Sequence, residues 1–235
     1  PSGLLLSQLL YLQGIENIVL EKQTKEYVLS RIRAGVLEQG TVNLLKKAGI
    51  SQRIKNQGLN HEGIFLSAKN HSFRIDFSSL VNKSVTVFGQ TEVTTDLYSA
   101  ADKDKGRVIN SAKNVIPFQV DTNKPYVTYV FEGLEKKIYC DFVVGCDGFH
   151  GVSRKIIPKE KIKTYERVYP FGWLGILSET SPVNDELIYA NHETGFALAS
   201  MRNKNLSRYY IQTSIHDKVE MWSDKRFWSE LKKRL

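Results

Sequence analysis

Leu4, Leu5, Leu6, Leu9, Leu10 and Leu12 cover one broad apolar face, which predicts an opening helix ended by Gly14. A short apolar run, Asn17-Ile18-Val19-Leu20, follows and closes on Glu21. Helix, glycine, buried strand and terminal acid together read as the second half of a βαβ unit. A polar loop carrying Arg31 and Arg33 leads to a second amphipathic helix over about Val36 to Ala48. From Glu62 the period changes to two. Residues 63–66 and 72–77 read as a hairpin, 85–88 as a strand, and about 91–101 as a helix that follows Gln90. Further strands are expected at 115–120, 126–131, 137–140 and 142–144. Beyond Ile157 come long β segments at 162–178, 186–191, 196–202 and 207–214, then a helix from Ser223. The pattern predicts an α/β nucleotide-binding part, residues 1–160, followed by a β-rich part, residues 161–235.

Composition narrows the class. Hydrophobic residues make up 41% and charged residues 25% of 235, which excludes a disordered or collagen-like chain. No apolar run reaches the roughly 20 residues of a spanning helix, so no membrane role is expected. The net charge of +8 favours anionic partners, but the basic residues are scattered in short clusters such as Lys103 to Arg107 and Lys155 to Lys163. None is interleaved with aromatics as on a nucleic-acid surface, so no nucleic-acid partner is expected. A basic nucleic-acid- or anion-binding module, resting on the charge alone, stays as the alternative from another class. Cys140 and Cys146 form no CxxC pair, and the five histidines have no metal-ligand spacing. Sequons at Asn70, Asn82 and Asn205 carry no weight without a secretory signal, and a reducing cytoplasmic compartment is the expectation.

The candidate chemistry begins at Pro1-Ser2-Gly3. A helix opening there would present free amides and its positive dipole end to a pyrophosphate, with Gly3 as the last glycine of a dinucleotide fingerprint. Glu21, 18 residues after Gly3, stands where an acid accepts from a ribose hydroxyl. Gly145-Cys146-Asp147-Gly148 delivers an acid flanked by glycines into a turn, as a ligand loop or as a plain Asp-Gly turn.

At these residues a specific likeness enters. Arg31 to Gly40, Gly145 to Gly151, Tyr169 to Gly175 and Glu186 to His192 resemble the FAD-dependent aromatic hydroxylase family, in its 4-hydroxybenzoate-hydroxylating branch, and the likeness runs the whole length. It implies a FAD/NAD(P)-binding glutathione-reductase-like fold with an inserted β-rich substrate domain. It implies FAD contacts at Ser2, Glu21, Arg31, Ile32, Arg33, Ala34, Gly35, Val36, Gln90, Asp147 and Arg208, with NADPH visiting near His150. Lys22 stands where the family commonly has arginine. The aromatic substrate is expected against Tyr189, Ser200, Met201, Arg202 and Tyr210, with Tyr189 at the phenol and catalytic. The implied reaction uses NADPH and O₂ and gives 3,4-dihydroxybenzoate through a flavin C4a-hydroperoxide; a different phenol is the close alternative. The family suggests a homodimer and involves no metal. The likeness also implies that the chain is a piece, lacking a first strand and later site residues, and inactive on its own.

Strand alternation supports the substrate patch independently. It puts Ser200 and Arg202 on one face, and Arg208 and Tyr210 on one face. A symmetric five-residue loop, Asn203 to Ser207, would set Ser200 opposite Tyr210 and Arg202 opposite Arg208. Two opposed arginines destabilise a sheet unless an anion lies between or beside them. The other reading of the same pattern is an exposed edge whose arginines splay into solvent. Trp173, Trp222 and Trp228 read as packing.

Overall fold

The computed structural model describes residues 1–69, 71–104 and 107–235; Asn70 of the first sequon and Lys105 of the basic cluster lie outside them. The chain opens with helix α1 (Ser2–Tyr11), strand β1 (Ile18–Leu20), α2 (Lys25–Ser30), β2 (Val36–Glu38), α3 (Gln39–Lys47) and α4 (Gln52–Gln57). It continues with β3 (Leu59–His61), β4 (Gly63–Ala68), β5 (His71–Asp76), α5 (Phe77–Val81), β6 (Val85–Val87) and α6 (Gln90–Lys103). Next come β7 (Arg107–Ile109), β8 (Lys113–Phe118), β9 (Tyr126–Phe131) and β10 (Leu134–Tyr139). The last part holds β11 (Phe171–Ser178), β12 (Leu187–His192), β13 (Gly195–Asn203), β14 (Leu206–Ser214) and α7 (Asp224–Arg234).

These elements form two compact units, each discontinuous in sequence. The first comprises residues 1–33, 45–51 and 90–165. In it β1 pairs parallel to β7, and the ladder continues past the strand ends as Glu21 N–H donates to Ile109 O and Ala112 N–H to Glu21 O, both at 2.9 Å. Leu4, Val93, Leu97, Tyr98 and Ala101 fill the space where α1 meets α6. A separate antiparallel meander, β8–β9–β10, completes this unit.

The second unit holds residues 34–44, 52–89 and 166–235. Its six strands run in the order β11-β14-β13-β12-β4-β5. This division differs from the linear partition at residue 160, because β12 pairs parallel to β4 (Ile64 opposite Leu187) and draws the early hairpin into the later sheet. Ala190, Ala197, Ala199, Tyr209 and Ile211 share one face, and Phe227 and Leu231 of α7 pack on it. The residues that alternate with them point to the other face of the same strands, away from α7. A smaller sheet, β2-β6-β3, belongs to this unit as well.

Several expected elements change on the way to the fold. Val36 to Glu38 is a strand rather than the first turn of a helix, because Val36 pairs with Val87 and Glu38 with Val85. The polar loop before Arg31 contains α2, whose first turn Thr24 caps by accepting from Tyr27 N–H at 3.1 Å. Phe142 to Val144 form no strand: with no ladder partner among the described residues, Phe142 and Val144 stay 86% and 61% exposed. Apolar content alone does not pair a backbone. Of 162–178, only 171–178 is a strand, preceded by short 3₁₀ turns at 153–156 and 159–161.

Candidate active site

Each unit carries its own set of the singled-out residues. In the first unit, α1 starts at Ser2 with no side-chain cap and no acid in its first turn, so its leading amides and dipole are uncompensated. Gly3 lets this start pack closely: a Cβ there would meet Cys146 Cβ at 3.4 Å and Val19 Cγ1 at 3.9 Å. Glu21 follows directly on β1, and one carboxylate oxygen accepts from Gln23 N–H at 2.8 Å. The start of α1 therefore lies against the loop before Asp147 and against β1, the strand that leads into Glu21.

Asp147 itself is turned into its own loop. Its carboxylate accepts from Ser153 N–H at 2.9 Å, and a side chain on Gly151 would overlap it. Partial burial would raise its pKa, but the hydrogen bonds from Ser153 outweigh that and hold it below the ordinary carboxylate value. His150 is exposed on this loop, edge-on to Phe149 with ring centroids 5.0 Å apart. The Arg154 guanidinium lies 4.4 Å over the Phe149 ring and donates to Phe149 O at 3.2 Å. Phe149, inside the Gly145 to Gly151 motif, and Arg154, outside it, thus join His150 in an aromatic and cationic surface.

Gln90 is half-buried at the first position of α6. One residue on, Thr91 Oγ1 donates to Arg31 O at 2.8 Å, which ties the Arg31 segment to the start of that helix. The Arg31 guanidinium covers the Tyr27 ring at 5.4 Å, and Ile32 is 65% exposed. Arg31, Ile32 and Arg33 belong to the first unit, whereas Ala34, Gly35 and Val36 belong to the second.

In the second unit the expected faces are observed but the expected register is not. Ser200 opposes Arg208, and Leu198 opposes Tyr210. The turn is tighter than a five-residue loop, since Asn203 already pairs with Leu206, and the ladder slips between Met201 and Asn203. Arg202 is the extra residue of that bulge, the kind of irregularity that re-aims a side chain. Its guanidinium occupies the space above Gly35, where a Cβ would overlap Nη1. Burial lowers the Arg202 pKa first, Arg208 lowers it further, and Tyr210 opposes both. Arg202 has no carboxylate partner among the described residues.

Tyr189, Leu198, Tyr210 and Gly175 form one cross-strand row on the face away from α7. The Tyr210 ring lies across β11, so that a Cβ on Gly175 would sit 2.5 Å from its Cε1, and the Arg208 guanidinium stands 5.6 Å from its centroid. Phe196 links Tyr189 (5.7 Å) to Trp173 (4.9 Å), which makes Trp173 part of this face as well as packing. Ser200 Oγ donates to Met201 O at 3.2 Å. The Met201 side chain alternates to the opposite, α7-covered face, so what it offers the patch is backbone. Sequence reasoning did not single out Leu198 or Phe196, and it expected Gly35 only as a FAD contact and Gly175 only as the end of a family motif, not as space for Arg202 and Tyr210. Alternation could have found the first two; nothing local shows which side chains fill the space beside the glycines.

His61 was also missed. It is 3% exposed at the end of β3, and neither ring nitrogen has a hydrogen-bond partner among the described residues. Burial lowers its pKa against the pull of Glu186 and Asp185. Glu186 in turn receives a fork from Arg74, at 2.6 and 2.8 Å. Among the described residues no cluster of His, Cys, Asp and Glu is arranged to hold a metal, and no helix is long and apolar enough to cross a membrane.

The chain is 52% identical over 236 residues to p-hydroxybenzoate hydroxylase of Acinetobacter baylyi, which matches all of this chain and 58% of the relative. The chain therefore spans well under two thirds of that relative's length. Among solved structures, p-nitrophenol 4-monooxygenase from Pseudomonas putida DLL-E4 superposes on all of this chain and 60% of its own, with TM-score 0.82 at 16% identity. A PqsL variant of Pseudomonas aeruginosa covers 99% of this chain and 64% of its own, with TM-score 0.81 at 17% identity. At those identities the two structures establish the α/β fold and nothing finer. Because the match to the family described as FAD binding domain takes in residues 1–235, both the α1 end and the arginine-bearing sheet lie inside it, and the chain belongs to that family.

Proposed function

We propose that the whole protein carrying this chain is a FAD-dependent monooxygenase that hydroxylates 4-hydroxybenzoate beside its phenol, giving 3,4-dihydroxybenzoate with NADPH as hydride source. The observation that carries the reading is Arg202: a guanidinium re-aimed by a bulge, half-buried beside Arg208 and Tyr210, with no acidic partner among the described residues. Two neighbouring guanidiniums raise each other's energy, and a substrate carboxylate reverses that cost through charge-assisted hydrogen bonds. Tyr210 adds a hydroxyl group beside the same anion, and Ser200 can add its own by turning its proton from Met201 O to the carboxylate. Tyr189 stands two strands from Tyr210, about 10 Å at the backbone, which suits one para-substituted ring lying across β13.

The residues of the first unit fit FAD. The uncapped start of α1 suits a pyrophosphate, Gly3 permits the close packing that this approach needs, and Glu21 suits a ribose hydroxyl. FAD, when bound, supplies the redox and oxygen chemistry. The protein's part is binding, orientation and charge. Tyr189 exchanges a hydrogen bond with the substrate phenol; a free phenol near pKa 10 is largely neutral at pH 7, so favouring its ionised form is where the protein gains rate. Arg208 adds positive charge to the same face. His150, Phe149 and Arg154 offer an exposed aromatic and cationic surface for NADPH. A cytoplasmic location, where NADPH is made, and a homodimer complete the proposal.

The experiment is a screen of hydroxybenzoates for stimulated NADPH oxidation by the whole protein, with product identification. 4-Hydroxybenzoate should stimulate most and yield 3,4-dihydroxybenzoate. Stronger stimulation and hydroxylation of a different phenol would replace the assignment.

A further inference from the structure

We propose that Gly35 and Gly175 are specificity-determining residues, each lending the volume of its missing side chain to a group that reads the substrate carboxylate. The inference rests on Arg202 and Tyr210 being those groups.

Neither glycine needs its conformational freedom. Gly14, Gly49, Gly133, Gly148 and Gly195 have positive φ, and Gly35 and Gly175 do not. Their requirement is space. A Cβ on Gly35 would overlap Arg202 Nη1 and lie 2.7 Å from Cζ and 2.9 Å from Nη2. The backbone there cannot readily yield: Gly35 is buried, its carbonyl accepts from Phe88 N–H at 2.8 Å, and the β2–β6 ladder begins at the next residue. The flexible arginine end is what would move. Gly175 pairs directly with Tyr210, and its Cβ would meet three ring atoms, Cε1 at 2.5, Cδ1 at 2.8 and Cζ at 3.3 Å. The ring therefore lies flat over β11, with Arg208 over it. A side chain at 175 would lift the phenol, and one at 35 would displace the guanidinium. Both changes strike the carboxylate end and leave Tyr189 and Leu198 in place. Gly172, in the same strand as Gly175, has nothing within 4 Å of its Cβ position and serves as the control.

The test is equilibrium binding to the whole protein, read by tryptophan fluorescence. The ligands are 4-hydroxybenzoate and its neutral isostere 4-hydroxybenzamide. Wild type should prefer the carboxylate at least tenfold. Gly35→Ala should weaken the carboxylate at least tenfold and the amide less than twofold. Gly175→Ala should shift in the same direction, and Gly172→Ala should change neither ligand. Adding Gly35→Ala to Arg202→Gln should cost nothing further, because the glycine acts through the arginine. A wild type without carboxylate preference would sink the underlying reading of Arg202 and Tyr210. A wild type with the preference, retained within twofold in Gly35→Ala, would overturn the role of Gly35 and leave that reading standing. Equal losses for both ligands, or a further loss in the double variant, would also overturn it. If Gly175→Ala loses its circular-dichroism fold, Gly35→Ala decides, since an arginine end can swing aside.

Discussion

Asp147 and Arg202 are both charged side chains that the family resemblance singles out, one in each unit, and their surroundings are opposites. Asp147 sits on an exposed loop between glycines, yet its carboxylate is already held by Ser153 N–H. Arg202 sits in a sheet, where partners are usually plentiful, and has no acid among the described residues. Glycines help both, by different routes. Gly151 clears space so that Asp147 can close its own loop, whereas Gly35 clears space so that Arg202 can remain available. A charged group that is internally satisfied shapes a loop. One that is held in place with no acid among the described residues is where the proposed substrate carboxylate would bind.

The largest effect that would sharpen this contrast is at Tyr189, in the same row as Tyr210. Tyr189→Phe should lower the hydroxylation rate by on the order of 100-fold, as for loss of one acid–base group, while leaving 4-hydroxybenzoate affinity within a few-fold. Rapid-mixing kinetics separate the two, and an unchanged rate would remove Tyr189 from the chemistry. Asp147→Ala should behave in the reverse manner. Loss of its amide hydrogen bonds should cost about 1 kcal/mol in urea unfolding and weaken FAD retention, with substrate affinity unaltered. If substrate affinity fell as much as stability, the two units would not be doing separate work.

The smallest expected effect concerns pH. Burial holds the folded His61 below its ordinary value of 6.5, against Glu186 and Asp185. Below about pH 6.5 the unfolded imidazole takes up a proton that the folded one refuses. The unfolded state then binds more protons, so stability should be full above that pH and fall as the pH drops towards the lower folded value. His61→Asn should flatten the wild-type decline in melting temperature between pH 7.5 and 5.5. Equal slopes would show that His61 does not carry it.

Much of the sheet was legible because its strands have one covered face. The alternation over 196–202 and 207–214 exists because α7 buries Ala197, Ala199, Tyr209 and Ile211, and that same alternation sets Ser200 and Tyr210 on the free face. Register was not legible. It depends on a tight turn at Lys204 and Asn205 and a bulge at Arg202, and a pattern of period two is equally satisfied by a longer symmetric loop. Val36 to Glu38 read as helix because amphipathicity could not reveal that Val87 waits across a ladder. Phe142 to Val144 failed in the opposite sense: a good strand composition with no strand beside it among the described residues. The motifs that contain Gly35 and Gly175 were legible but the space they give was not, since the side chains that need it come from strands remote in sequence.

The account stands on Arg202 receiving a carboxylate. Titrating wild type and Arg202→Gln with 4-hydroxybenzoate and with 4-hydroxybenzamide tests this most directly. The account predicts that wild type prefers the carboxylate, that Arg202→Gln loses about 10- to 100-fold of its affinity, as for one charge-assisted hydrogen-bonding group, and that amide binding barely changes. An Arg202→Gln protein that still prefers the carboxylate as strongly as wild type would contradict it.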